Sequence, residues 1–180
     1  MNDAAAQVFA AAEKTANDAD QVTRRLIKIL DDKSARAPDR SHAIRCLDRF
    51  HSVIVITPLL SNLLLIDPDV TEPGPLASFP AASAVAHYGR PLYGELMGVT
   101  LRECSDDYLH VLAFVLQSMD GEEVALLRLK ERLDDPQTTP MQAKNLKQLA
   151  ALLRELDFTD AKDRPIPSKI RDNLEKSQSK

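Results

Sequence analysis

Apolar residues recur every three or four positions along most of this chain, the spacing that lines one face of a helix. The longest run passes through Ala5, Val8, Ala12, Thr15, Ala19, Val22, Leu26 and Ile29 and predicts a first helix over about 4–31. Ala and Thr line its first half, so that half buries little area. Ile27 and Leu30 strengthen the second half, where the helix is expected to be anchored. A polar break over 31–38 ends it. A second helix is expected from Asp39 or Ser41, either a competent cap, with Ile44, Leu47, His51 and Ile54 as its stripe.

From Val53 to Ile66 apolar residues surround the axis, as in an element covered on several sides, and Thr57 with Pro58 suits a fresh helix start or a kink. Four prolines and Gly74 make 67–80 a Pro-rich loop, the longest irregular segment. A short helix over about 81–88 follows, then a break at Gly89-Arg90-Pro91 and another piece over 91–98. Three later starts carry an acid or amide three residues after the capping side chain: Thr100 with Glu103, Asp120 with Glu123, Thr139 with Gln142. The stripes between them are Leu101, Tyr108, Leu112, Val115 and Met119, then Leu126, Leu129 and Leu133, then Leu146, Leu149, Leu153 and Leu156. Their short links make sequential helices antiparallel neighbours.

The expected fold is therefore all-α: an irregular up-and-down bundle of about six to seven helices, or a solenoid-like stack in its second half, occupying 1–158 as one domain. A polar tail over 159–180 carries a weak helix. Aromatic residues form only 4% of the 180 and Trp is absent, which leaves Leu, Ile, Val and Ala to build the core and disfavours sheet. A net charge of -4 gives no global field toward nucleic acid or anionic lipid. The tail is locally basic, with six Lys or Arg against three acids over 161–180. No secretory signal or membrane span is expected, and two cysteines without framework spacing fit a reducing setting, so the expected location is intracellular, cytoplasmic or nuclear.

Candidate chemistry is sparse. His42 and Cys46 share a helix face and make half of a zinc site, which lacks a second close pair. Asp67, Asp69 and Thr71 space oxygens like the start of a calcium loop, but Glu72 and Ser78 stand where the turn glycine and the closing Glu belong. No metal or other cofactor is expected. His87, Tyr88 and Arg90 cluster at the Gly89 break, where polar side chains are exposed for binding. Nucleophile elbows, phosphate loops and metalloprotease pairs are absent.

Arg45 and His51, five residues apart in sequence between them, resemble the Arg-x(4-6)-His motif of the HEPN helical ribonucleases over seven residues. The resemblance implies that Arg45 binds an RNA phosphate and His51 assists attack by the 2′-hydroxyl without a metal. Cys46 departs from the polar residue usual after that Arg, and the motif normally sits on a later helix. The reading the sequence favours is instead a non-enzymatic interaction domain. It docks another protein, or itself, through helix surfaces: Val8, Ala12, Thr15, Ala19 and Val22 on the first helix, with His87, Tyr88 and Arg90 as a second contact. A third alternative gives the basic tail a nucleic-acid or acidic partner.

Overall fold

Proline, glycine and side-chain caps set where the helices begin and end. The structure is a computed structural model that describes residues 3–50, 52–67, 69–70 and 76–155, with side chains from Lys14 onward. Helix α1 (Asp3–Asp31) is followed by α2 (Ala37–Leu47), α3 (Ile56–Ser61), α4 (Pro80–Tyr88), α5 (Tyr93–Val99), α6 (Asp106–Asp120), α7 (Glu122–Leu133) and α8 (Pro140–Glu155). Single 3-10 turns at Val53–Val55 and Arg90–Leu92 lead into α3 and α5. No strand occurs among the described residues, and the protein is all-α. Eight helices occur among the described residues, against the six to seven expected, and α3 and α5 are short pieces of six and seven residues.

The helices share one apolar cluster running from Leu30 on α1 to Leu153 on α8. Helix α6 is its axis: Leu109, Val111, Leu112, Ala113, Phe114, Val115 and Leu116 are all buried, so this helix is covered on every side. Helices α4 and α8 pack directly on α6, and α6, α7 and α8 each touch the other two. Helix α4 also meets α2 and α3, while α1 pairs with α2 through the turn at 32–36. Fully buried leucines such as Leu47, Leu112 and Leu146 each contribute about 1.5–3 kcal/mol of burial.

Several sequence-based boundaries move, each for a local reason. The second helix starts at Ala37, two residues before Asp39, because Pro38 fits its first turn, and it stops at Leu47. Ile54 therefore leaves that helix, and Val53, 79% exposed, opens a turn rather than a buried stretch. Burial starts at Val55. Thr57 lies inside α3 and caps nothing. Thr100 does not start α6; Ser105 does, its Oγ accepting from the Tyr108 amide at 3.2 Å, and Leu101 stays 48% exposed in the connection. Asp120 ends α6 instead of capping α7, since Gly121 at φ +77 makes the reversal that an L side chain resists. The Thr139 cap is present, its Oγ1 accepting from the Gln142 amide at 3.2 Å.

Three buried amides tie distant helices together. On α8, Asn145 Nδ2 donates to the carbonyls of Thr100 at 2.9 Å and Arg102 at 2.8 Å, while Gln142 Nε2 reaches the Met97 carbonyl and Thr100 Oγ1, each at 3.2 Å. Asn145 thereby satisfies the Thr100 and Arg102 carbonyls left open where α5 ends, while Gln142 adds to a Met97 carbonyl that already accepts from the Thr100 amide and hydroxyl. On the other side Asn62 donates to the Pro58 carbonyl at 2.9 Å and accepts from Lys33 at 2.8 Å and Arg40 at 2.6 Å. Arg40 also donates to the Leu30 carbonyl at 3.0 Å, which locks the end of α1 to α2 and α3. No helix among the described residues is long and apolar enough to cross a membrane.

Candidate functional site

Helix α1 presents two different faces. At 1.5 Å per residue its 29 residues span about 44 Å, whereas the 11 of α2 span about 16 Å, so most of α1 extends past its main neighbour. Thr23 and Leu30 are buried, and Leu26 and Ile27 pack against the core from its edge. Thr23 Oγ1 donates to the Ala19 carbonyl at 2.8 Å, which lets a hydroxyl sit in that apolar contact. Val22 and Ile29, by contrast, are 44% and 41% exposed. At roughly 100° per residue they lie about 20° apart and roughly 100° around the helix from the buried face.

The sequence stripe thus divides. Ala19 is half-buried and Leu26 lies at the margin of the core contact, while Thr15 and Val22 lie on the solvent side together with Ile29. Val8 and Ala12 fall in α1, but their side chains lie outside the described residues. All of Lys14 to Asp18 is exposed, as are Arg24 and Arg25. An exposed ion pair joins Asp20 to Arg24 at 2.8 Å, one helical turn apart.

The cluster at Gly89 separates into three roles. His87 donates from Nδ1 to Asp48 at 3.0 Å, joining α4 to the residue that ends α2. The Tyr88 hydroxyl meets the Ser52 backbone, and burial pushes its ionisation up despite that bond, with Asp48 adding to the effect. Arg90 pairs with Asp120 at 2.8 Å, and Arg128 approaches the same fully buried carboxylate at 3.4 Å while lying 4.5 Å over the Tyr93 ring. Arg90 and Asp120 thereby hold the start of α5 against the end of α6. Only His87 faces the same opening as another sequence candidate.

That opening is a cleft of about 510 Å³ between α2, α4 and the Pro-rich loop, lined by Arg45, Asp48, Asp69, Ser83 and His87 among others. Arg45, about half exposed, is ion-paired with Asp67, whose side chain is 1% exposed. Asp67 organises the loop as well: its amide donates to the Ser78 carbonyl at 2.9 Å and its Oδ1 accepts from the Asp69 amide at 3.1 Å. The carboxylate that the calcium-like spacing singled out is thus occupied by an arginine and a backbone amide. Thr71 and His51 lie outside the described residues, so the Arg45–His51 pair cannot be placed.

Cys46 Sγ stands 3.7 Å from His42 Nε2 on α2, but among the described residues no group of three or more His, Cys, Asp or Glu comes together as metal ligands do. Cys104 and His110, which could complete the half site only if the fold brought them to it, belong to the α5–α6 region. Burial pushes the Cys104 thiol up and the His110 imidazole down. The joining of Arg45, Asp48 and His87 was hidden in sequence, since 39 residues separate Asp48 from His87. Comparison with protein-family models, curated proteins and solved structures gave no match.

Proposed function

We propose that this chain is a non-enzymatic helical docking domain that engages another protein through the solvent face of α1. The observation that carries the reading is the exposure of Val22 and Ile29 on a helix whose core contacts are already made by Thr23, Leu26, Ile27 and Leu30. Two large aliphatic side chains one heptad apart, on a helix that outreaches its neighbours, suit recognition by a helix laid alongside. Ala and Thr at the adjoining positions permit close approach of the two backbones.

The Arg45 cleft supports an enzyme less well. A phosphate-binding arginine needs unspent charge, whereas Arg45 already faces a buried carboxylate, and Asp48 and Asp69 add two more negative groups to the lining. His87 held by Asp48 has the orientation of a general base, but a net negative cleft repels a phosphodiester.

Crosslinking pull-down with the full chain tests the docking reading. The wild type should retain partners that the Val22→Glu/Ile29→Glu double variant loses, with equal helical signal and melting temperature in the two proteins. Identical recovered sets would remove the reading.

A further inference from the structure

The occupant of that face can be named from charge and register. From Asp3 to Asp20, α1 carries four acids against Lys14; from Gln21 to Asp31 it carries three bases against Asp31. Complementing the helix dipole accounts for charges in the first and last turns only. Asp18, Asp20, Arg24 and Arg25 lie in the middle, where that effect has faded. A helix acidic in one half and basic in the other complements its own reversed copy.

The apolar spacing agrees with this. Ala5, Val8, Ala12, Thr15, Ala19, Val22, Leu26 and Ile29 alternate three- and four-residue steps without a break, the seven-residue repeat of a helix that supercoils with a partner. Among the described residues of this seam, the domain's own core takes up one side. The open side carries Thr15, Val22 and Ile29, with Asp18 and Arg25, both exposed, along its edge.

Resting on the docking reading above, we propose that the partner of this face is a second copy of the chain, the two α1 helices lying antiparallel with Val22 of one beside Ala19 of the other. This register also sets Leu26 beside Thr15 and Ile29 beside Ala12. It brings Asp18 of each copy next to Arg25 of the other, giving two symmetric ion pairs. A parallel pair would place Asp18 against Thr23 and Arg25 against Leu30 of the other copy, not these charges against each other. The small side chains of the seam make the interface modest, so the dimer is concentration-dependent.

Sedimentation or light scattering of the full chain at low salt, across about 5–500 µM as suits a small interface, reads the prediction. The wild-type mass should rise from 19.9 kDa toward twice that value. Asp18→Arg or Arg25→Glu alone turns both pairs repulsive and should weaken association roughly ten- to thirtyfold, by the strength of exposed pairs. Mixing the two variants in equal amounts should restore a dimer, now of one of each. All these positions are exposed, so circular dichroism should be unchanged. A monomeric wild type, a dimer indifferent to either reversal, or a mixture that stays monomeric while the wild type dimerises overturns the self-pairing. If the wild type is monomeric and Val22→Glu/Ile29→Glu still abolishes capture of a different protein, only the identity of the partner has failed.

Discussion

Asn145→Ala should lower stability by about 2.5–3.5 kcal/mol, a larger effect than a polar residue on a helix ordinarily has. The side chain is 2% exposed and donates two hydrogen bonds to the main chain where α5 ends, at 2.8 and 2.9 Å. Losing each bond removes about 1 kcal/mol, and the buried Thr100 carbonyl then stays unsatisfied for roughly another 1–2 kcal/mol. The higher helix propensity of Ala returns about 0.5 kcal/mol. For a chain of this size the melting temperature should fall by roughly 5–14 °C. The neighbouring Lys144 is exposed, so Lys144→Ala serves as the control and should stay within about 0.5 kcal/mol of the wild type. Thermal and urea unfolding followed by circular dichroism measure both. If Asn145→Ala melts with Lys144→Ala, the amide does not hold α5 to α8 and the packing described for that end is wrong.

At the other end, Asn62→Ala should destabilise by about 2 kcal/mol, and hydrogen exchange should rise first in α2 and the last turns of α1, which Asn62 links through Arg40 and Lys33. Uniform acceleration across all helices would contradict that placement. Burial pushes the Tyr93 ionisation up to about 12, so its phenol stays protonated in the fold where the unfolded chain loses the proton near 10. The stability this represents is complete below the unfolded value and is lost as pH rises toward 12; Tyr93→Phe should flatten that alkaline decline, and an unchanged slope would refute it. Because the buried Tyr93 hydroxyl finds no hydrogen-bond partner among the described residues, the same variant should be at least as stable as the wild type at neutral pH. Cys104, raised by burial and donating to the Val99 carbonyl at 3.4 Å, should alkylate at pH 8 well below the rate of a small free thiol; equal rates would show the site to be open.

Helix class and helix order were legible because they depend on periodicity and on Pro and Gly, which act locally. Leu146, Leu149 and Leu153 share one stripe in the sequence and are all fully buried, and the break at Gly89-Arg90-Pro91 falls where its backbone requires. The misplaced starts share one cause. Thr100 and Asp120 have the right residue type and spacing for a cap, but each is drawn into a contact from a distant element: Thr100 by Gln142 and Asn145 of α8, Asp120 by Arg90 and Arg128. A capping pattern reports what a side chain can do for its own helix and is blind to a better offer across the fold. The Arg45 cleft was illegible for the same reason, since Asp48 and His87 meet only once α4 lies against α2.

Helix α1 shows the converse, a regular pattern that hides two. One stripe through Leu26 and Ile29 was read as a single apolar line, yet the core contact runs through Thr23, Leu26, Ile27 and Leu30, while Val22 and Ile29 turn outward. A seven-residue repeat drifts about 20° per heptad on a straight helix, so a long stripe cannot stay on a short neighbour without supercoiling. Helix α2 is only 11 residues and supplies no such wrap. The repeat therefore outlasts the intramolecular contact that would explain it. Core packing accounts for Leu30 and Ile27, which break the repeat, and leaves Val22 and Ile29, which keep it; residues that obey a coiled-coil period while facing water are those for which a second helix has to be sought.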